Sequence, residues 1–507
     1  MRAMLIGVGS YFLTGILSLI LPRHKFGLSL LGWMGGLYAL IYQVLLIENQ
    51  SYLIRTIGIW GKLGIEVKLD QTTVLFSALI ITINIFTLLY MGREKKVTFY
   101  CLYNLLLGTA FSISFVNDLF NLYVTIELMS LVSILLIGYQ RKAYQIYAGI
   151  KYLLLSSLSM SLYLIGLGII YNSGGSLAIS ELAKTVGSEP SFSVSLASSL
   201  MIGGLAVKGG VILFSMWLPD AHSYSSNVVS ALLSGMAIKC GLIGIIRISE
   251  IVTWNEGLFF LGAFTGIGGV MFAILENRTK MVLAYHTISQ VGYILLGVGT
   301  GTNLGIIAAS LHIFFHGVFK SLLFLSVGHA KIGGLNIYKI KKKVPLISKI
   351  GLLVGSFSIV SLPPFNSYFS KILLLEQCTN GLIRAIILTI GVGTAFSFVK
   401  LNYTILPTET RKEMDRKNIA LSLYSFVVAV SGISVLLFLN KQEILHLLNN
   451  FHVIETISLL AFGILLYPFT KEICKKAELP SYPFNLDNSL FSFITGSLVM
   501  SLLLVVF

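Results

Sequence analysis

Residues 205–241, LAVKGGVILFSMWLPDAHSYSSNVVSALLSGMAIKCG, place Lys208 and Lys239 inside two apolar stretches joined by a short polar turn. A lysine at the centre of a membrane helix costs about 2.5 to 3.5 kcal/mol on insertion scales, so both read first as parts of an ion or proton pathway. Glu127, in DLFNLYVTIELMSLVSILLIGY, lies well inside another apolar run. A carboxylate there needs a cation beside it, or it is neutralised. Lys208 is the candidate partner, because opposite charges near mid-membrane offset part of each other's desolvation. The alternative is a static pair that only fixes helix packing.

His312, His316 and Lys320, in LHIFFHGVFKS, follow an i, i+4, i+8 pattern that puts all three on one helix face. Two histidines at this spacing can hold a metal, but a lysine one turn on disfavours a cation, and no carboxylate or cysteine accompanies them. Structural hydrogen bonding and a proton relay remain; the relay is preferred because imidazole titrates in the useful range. Lys371 follows Pro363 and Pro364 in PPFNSYFSK, and Lys400 would extend the line toward the outer face of the membrane or the next subunit. Lys151 and Arg247, near the ends of apolar runs, read as snorkelling side chains. The chain carries no catalytic constellation and no metal-ligand set.

The elements that must hold these groups are membrane helices. The 507 residues are 55% hydrophobic and only 11% charged, with a mean hydropathy of +0.86, which excludes a soluble multidomain protein. Apolar runs of about 20 residues recur from end to end. Sixteen candidate spans lie near residues 4–21, 26–47, 70–91, 97–117, 119–140, 147–171, 196–217, 228–249, 257–275, 280–299, 303–329, 349–378, 382–406, 418–440, 452–470 and 488–507. The first has no small-residue cleavage site and reads as a retained span. Residues 172–195, with the amphipathic SLAISELAKTV, read as a helix along the interface. Cys101, Cys240, Cys378 and Cys474 lack the paired spacing of zinc or iron-sulfur ligands and read as small core residues.

The net charge of +15 is an orientation signal rather than a nucleic-acid footprint. Alternate loops hold Arg23 and Lys25; Arg93, Lys95 and Lys96; Arg141 and Lys142; Arg278 and Lys280; the lysines from Lys331 to Lys349; Arg411 to Lys417; and Lys471, Lys475 and Lys476. The opposite set holds only Arg2, Arg55, Lys62, Lys68, Lys184, Arg384 and Lys441. The positive-inside rule then places both termini outside the cytoplasm and the turn 331–348 inside it, in a multi-pass cytoplasmic-membrane protein.

Two spans look interrupted. Lys208 sits among Gly203, Gly204, Gly209 and Gly210 in a span ending at Pro219, and Pro363 and Pro364 repeat the device before Lys371. Spans four to eight and nine to thirteen form two five-helix units, whose odd number inverts one against the other. Each could form half of a channel. The second unit carries His286 and Gln290, in AYHTISQVGY, where the first has Glu127, so the repeat is degenerate in chemistry.

These residues together resemble the antiporter-like membrane subunits shared by respiratory complex I, energy-converting membrane-bound hydrogenases and Mrp-type sodium/proton antiporters. The resemblance covers about residues 70–440 and rests on NLYVTIELMS, GGLAVKGG, WLPDAH followed by VSALLSGMAIK, AYHTISQVGY, HIFFHGVFKS and SLPPFNSYFSK in the family order. It implies that Glu127 and Lys208 are a coupling pair, that Lys239 and the His312/His316 region bridge the centre, and that Lys371 is the terminal protonation site. A lysine at 371 looks more like the Mrp and hydrogenase branches than one complex I branch. HSYSSNVV after WLPDAH departs from the family's usual prolines, and two apparent spans after residue 450 exceed its fourteen-span core and would pack against a neighbouring subunit.

The expectation is therefore an all-α polytopic membrane protein of 14–16 helices. Its parts are N-terminal helices at 1–96, half-channel units at 97–250 and 257–406, and C-terminal helices at 407–507. It would translocate protons, sodium or both, with Glu127, Lys208, Lys239, His312, His316, Lys320, Lys371 and Lys400 along the path and helix breaks at Gly209, Gly210, Pro219, Pro363 and Pro364. Its partners would be other membrane subunits, lipid and a peripheral redox arm, with iron-sulfur clusters or other redox cofactors in those partners and none in this chain. The alternatives are a stand-alone secondary transporter of a small solute and a purely structural membrane subunit.

Overall fold

The computed structural model describes residues 2–48, 52–58, 64–186, 191–252, 255–378, 381–411, 415–436, 450–476 and 486–506. Lys62, Lys441 and the end of the span read at 418–440 lie outside the described residues. The chain is an all-α polytopic membrane protein. Thirteen helices among the described residues are long and apolar enough to cross a membrane.

In chain order these begin with α1 (Arg2–Ile20) and α2 (Lys25–Ile47), then a short antiparallel hairpin, β1 (Leu53–Ile57) with β2 (Ile65–Leu69). There follow α3 (Gln71–Met91), α4 (Val97–Ser114), α5 (Leu119–Ile137), α6 (Ala143–Gly174), the short α7 (Ile179–Thr185) and α8 (Phe192–Gly209). After a 3-10 turn at Ile212–Phe214 come α9 (Leu218–Tyr224), α10 (Asn227–Leu232) and α11 (Ile238–Ile248), the last two joined by a π turn at Leu233–Ala237. The chain continues with α12 (Asn255–Leu275), α13 (Thr279–Gly299), α14 (Asn303–His329), α15 (Leu346–Val360), α16 (Asn366–Gln377) and α17 (Gly381–Ile405). It ends with α18 (Arg416–Leu436), α19 (Asn450–Lys476) and α20 (Leu486–Val506). The split pair α15–α16, α18 and α20 occupy the other runs read as spans.

Two compact units are present. The first comprises Met1–Trp217, Met236–Gly257 and Ser489–Phe507. Within it α8 packs between α6 and α11, and α5 packs between α4 and α6. Asp70 and Asp118 start α3 and α5 by accepting the Thr73 and Asn121 N–H groups, which satisfies donors that a helix start leaves free. The second unit comprises Leu218–Gly235 and Leu258–Asn488, with α14 packed against α13, α15, α16 and α18.

Arg247 and Lys151 depart from the snorkelling reading. Both are buried, and Arg247 binds Asp70, Glu250 and the Thr73 hydroxyl. Carboxylates recruited from β2–α3 and the end of α11 make its burial tolerable; Glu250 stands at i+3 from Arg247, but nothing local in the sequence signals Asp70. The C-terminal helices dock on their own chain. α19 lies along α17, where Tyr467 meets Phe396 with ring centroids 5.9 Å apart. α20 seats on the 3-10 turn after α8, where Ser492 Oγ donates to the Leu213 carbonyl at 2.8 Å and Phe493 meets Phe214.

Candidate functional site

In the first unit the site forms where α8 stops. Gly210 takes a left-handed conformation, φ +76°, and Val211 N–H reaches back to the Ala206 carbonyl at 3.0 Å, the six-to-one bond of a Schellman stop. Lys208 is thus held in the last turn, before an irregular segment. Pro219 does not end this span. It is the second residue of α9, a position where a missing N–H is harmless, so it opens the next helix.

Lys208 is 1% exposed. Its Nζ lies 4.0 Å from Glu127 Oε2 of α5 and donates to Ser130 Oγ at 2.6 Å and to Ser156 Oγ of α6. It also stands 5.6 Å from the Tyr152 ring centroid. That ring stacks at 3.8 Å on Trp217, whose indole N–H donates to the Val207 carbonyl. The ammonium therefore has fixed polar neighbours, while the Glu127 side chain stays 26% exposed. Lys239 is fully buried just past the π turn, a widened winding common at functional sites.

In the second unit the break lies between α15 and α16. Ser361 is left-handed, φ +69°, Pro363–Pro364 follows, and α16 restarts at Asn366. Lys371 reaches back across this break: Nζ donates to the Ile359 carbonyl at 2.8 Å and stands 4.4 Å from the Tyr293 ring centroid. Ile359 lies in the last turn of α15, where carbonyls lack helical partners. Residues of α13, α15, α16, α17 and α19 line a small pocket there, Lys371 among them.

On α14, His312 Nδ1 pairs with Ser370 Oγ of α16 at 3.0 Å, the His312 and His316 rings lie 5.9 Å apart, and Lys320 Nζ donates to the Leu283 carbonyl at 2.6 Å. His286 and Gln290 are fully buried on α13, and all of their side-chain polar atoms lack a protein hydrogen bond. Buried polar groups of this kind are normally served by water. Lys400 is buried on α17. Its Nζ binds the Ala273, Ile274 and Glu276 carbonyls, at the end of α12 that leads to Arg278 and Lys280.

Ser156 and Tyr152 escaped the sequence reading, as nothing local distinguishes them, and Trp217 entered it only as the first residue of WLPDAH. Ser130 had one signal, its i+3 spacing from Glu127.

The sequence matches the family described as "NADH:quinone oxidoreductase/Mrp antiporter, TM" over residues 116–397, more than half of the chain. The chain belongs to that family. It is 27% identical to a Na(+)/H(+) antiporter subunit of Alkalihalophilus pseudofirmus over 394 residues, 73% of this chain and 79% of the relative. It is 30% identical to an NADH-quinone oxidoreductase subunit of Desulforudis audaxviator, over 62% of this chain and 67% of the relative. Its fold is similar to a chain of the membrane-bound sulfane sulfur reductase, an archaeal respiratory membrane complex, with a TM-score of 0.78 at 22% identity, covering 91% and 99% of the two chains. A chain of the Mrp complex from Dietzia sp. DQ12-45-1b gives the same TM-score at 19% identity, covering 92% and 100%. As a member of this antiporter family, the chain is an antiporter-like membrane subunit of the kind found in multisubunit complexes.

Proposed function

We propose that this chain translocates protons, sodium or both as one membrane subunit of a respiratory or Mrp-type complex. One observation carries the reading: a buried Lys208 held 4.0 Å from Glu127 at a helix stop. With Glu127 close, the ammonium is stabilised; when the pair parts, Lys208 passes its proton on. The proposed order of protonation is Lys208, Lys239 and then Lys371, with His312, His316 and Lys320 serving the water chain between them. Spans four to eight and nine to thirteen would be inverted repeats, each a half-channel. The likeness of the fold to chains of two multisubunit complexes supports other membrane subunits as partners. Redox cofactors, where the complex has them, belong to those partners. The alternating Lys/Arg pattern supports a cytoplasmic-membrane location with both termini outside.

The test is ion uptake by proteoliposomes, normalised to assembled complex, for Lys208→Ala, Glu127→Ala and the double variant. Each single replacement is expected to abolish coupled uptake, and the double to be no worse, because residues acting as one unit give non-additive losses. Wild-type uptake in both single variants overturns the mechanism.

A further inference from the structure

The cavity at Lys371 is lined by Glu455, Thr456 and Leu459 of α19 as well as by the helices around the break. α19 lies beyond residues 116–397, the stretch matched to the family. Among the described residues Lys371 has no carboxylate within ion-pair distance, whereas Lys208 has Glu127. Glu455 is the one carboxylate among the described residues lining the cavity. The pocket leaves room for about two waters beside it.

Glu455 does not stand alone. Arg384 of α17 donates to both of its oxygens, at 3.1 and 3.0 Å. His452, one turn earlier on α19, has Nδ1 3.8 Å from Glu455 and Nε2 3.9 Å from Glu376 of α16. The titratable and charged groups that face Glu455 are thus Arg384, Glu376, Tyr368, Lys371 and Tyr293 from the packed helices, and His452 from its own.

We propose that α19 supplies the proton acceptor of Lys371: Glu455 takes its proton through the cavity water, and His452 relays it toward Glu376. The proposal rests on the reading of Lys371 as a protonation site. In the step, the Lys371 ammonium becomes an amine and the Glu455 carboxylate becomes a carboxylic acid, which loosens its hold on Arg384. Imidazole at His452 then takes the proton, Glu455 returns to Arg384 as a carboxylate, and the imidazolium hands the proton to the Glu376 carboxylate, which becomes a carboxylic acid. A bridge that merely pinned α19 would be redundant. The helix is already seated by Tyr467 against Phe396, by Leu459 against Gly391 and by the Asn277 amide on the Cys474 carbonyl.

The experiment measures proton uptake against pH in proteoliposomes holding the intact complex. Glu455→Gln is expected to lower uptake at least about tenfold with assembly unchanged, the loss of a positioned acid-base group. Glu455→Asp should recover most of it, and His452→Gln should displace the pH profile. Arg384→Gln breaks the same ion pair but leaves the acceptor, so its loss should be smaller. Lys371→Ala separates the two ideas. Wild-type uptake in Lys371→Ala overturns the protonation reading itself. Abolished uptake in Lys371→Ala beside wild-type uptake and pH profile in Glu455→Gln and His452→Gln overturns only the role of α19. Equal losses in Arg384→Gln and Glu455→Gln with unchanged pH profiles overturn it as well.

Discussion

Arg247 and Asp70 form a two-point ion pair joining the end of α11 to the start of α3, with one guanidinium nitrogen on each carboxylate oxygen. Lys68 extends the network, 2.6 Å from Glu250 and 3.6 Å from Asp70. The same Asp70 caps α3 through the Thr73 N–H at 2.9 Å. One carboxylate thereby serves a helix start and a fully buried cation, in the same unit as Lys208.

Replacing Asp70 by Asn keeps the cap and leaves Arg247 short of counter-charge. Removing one partner of a buried pair costs about 3 to 5 kcal/mol, and the remaining Glu250 points to the lower end. Burial alone would raise the Asp70 carboxyl; the Arg247 charge and hydrogen bond, with Lys68 and the Thr73 N–H, outweigh it and hold the group well below the usual carboxylate range. A depressed folded value means stabilisation that is complete above the unfolded carboxylate value of about 3.9 and lost as pH falls through the folded one. The stability gap between wild type and Asp70→Asn, read by thermal unfolding in detergent, should therefore stay constant from neutral pH to about pH 5 and narrow only below about pH 4. A gap that closes by about pH 6 contradicts this.

Gly241→Ala tests the packing under Lys208. A Cβ at Gly241 would stand 2.5 Å from the Gly209 nitrogen, 2.8 Å from the Lys208 carbonyl carbon and 2.9 Å from the Lys208 Cβ. These atoms belong to the helix stop and have no flexible tip to move aside. Overpacking should cost about 1 to 3 kcal/mol, and displacement of Lys208 should lower ion uptake per assembled complex about tenfold or more. Wild-type uptake in this variant would mean that the α8–α11 contact does not position Lys208.

Lys400→Met should act on stability. The three carbonyls that Lys400 satisfies lie at the end of α12, and leaving buried acceptors without a donor costs about 1 to 3 kcal/mol. The expected result is a lower unfolding temperature with ion uptake per assembled complex preserved. Lost uptake at unchanged stability would instead place Lys400 in the ion path.

Lys342→Cys tests the orientation. The four native cysteines are buried, so an impermeant thiol reagent reports on the new one. It should react from the cytoplasmic side alone, because the lysine-rich turn at 331–348 carries the orientation signal. Reaction from the opposite side alone overturns the topology.

Much of the fold was legible because hydropathy summed over about 20 residues belongs to the residues themselves. The stop at Gly209–Gly210 and the break at Pro363–Pro364 were legible for the same local reason, since glycine and proline act on their own backbone. Pro219 was misplaced because proline after a break marks a helix start as readily as an end. The hairpin β1–β2 and the π turn before Lys239 had no comparable signature.

By itself the sequence determined that the chain spans a membrane many times, that it puts Glu127, Lys208, Lys239 and Lys371 in apolar runs, and where two of its helices break. Each is a consequence of side-chain polarity or backbone preference within one stretch. Only the tertiary structure decided which groups meet those charges. Ser156 and Ser130 reach Lys208 from 52 and 78 residues away, and Asp70 reaches Arg247 across 177. It also decided that Lys400 closes a helix end and that Glu455 lines the Lys371 cavity. A buried charge requires a partner, but its own neighbourhood in the chain does not specify which distant helix provides it; helix packing does.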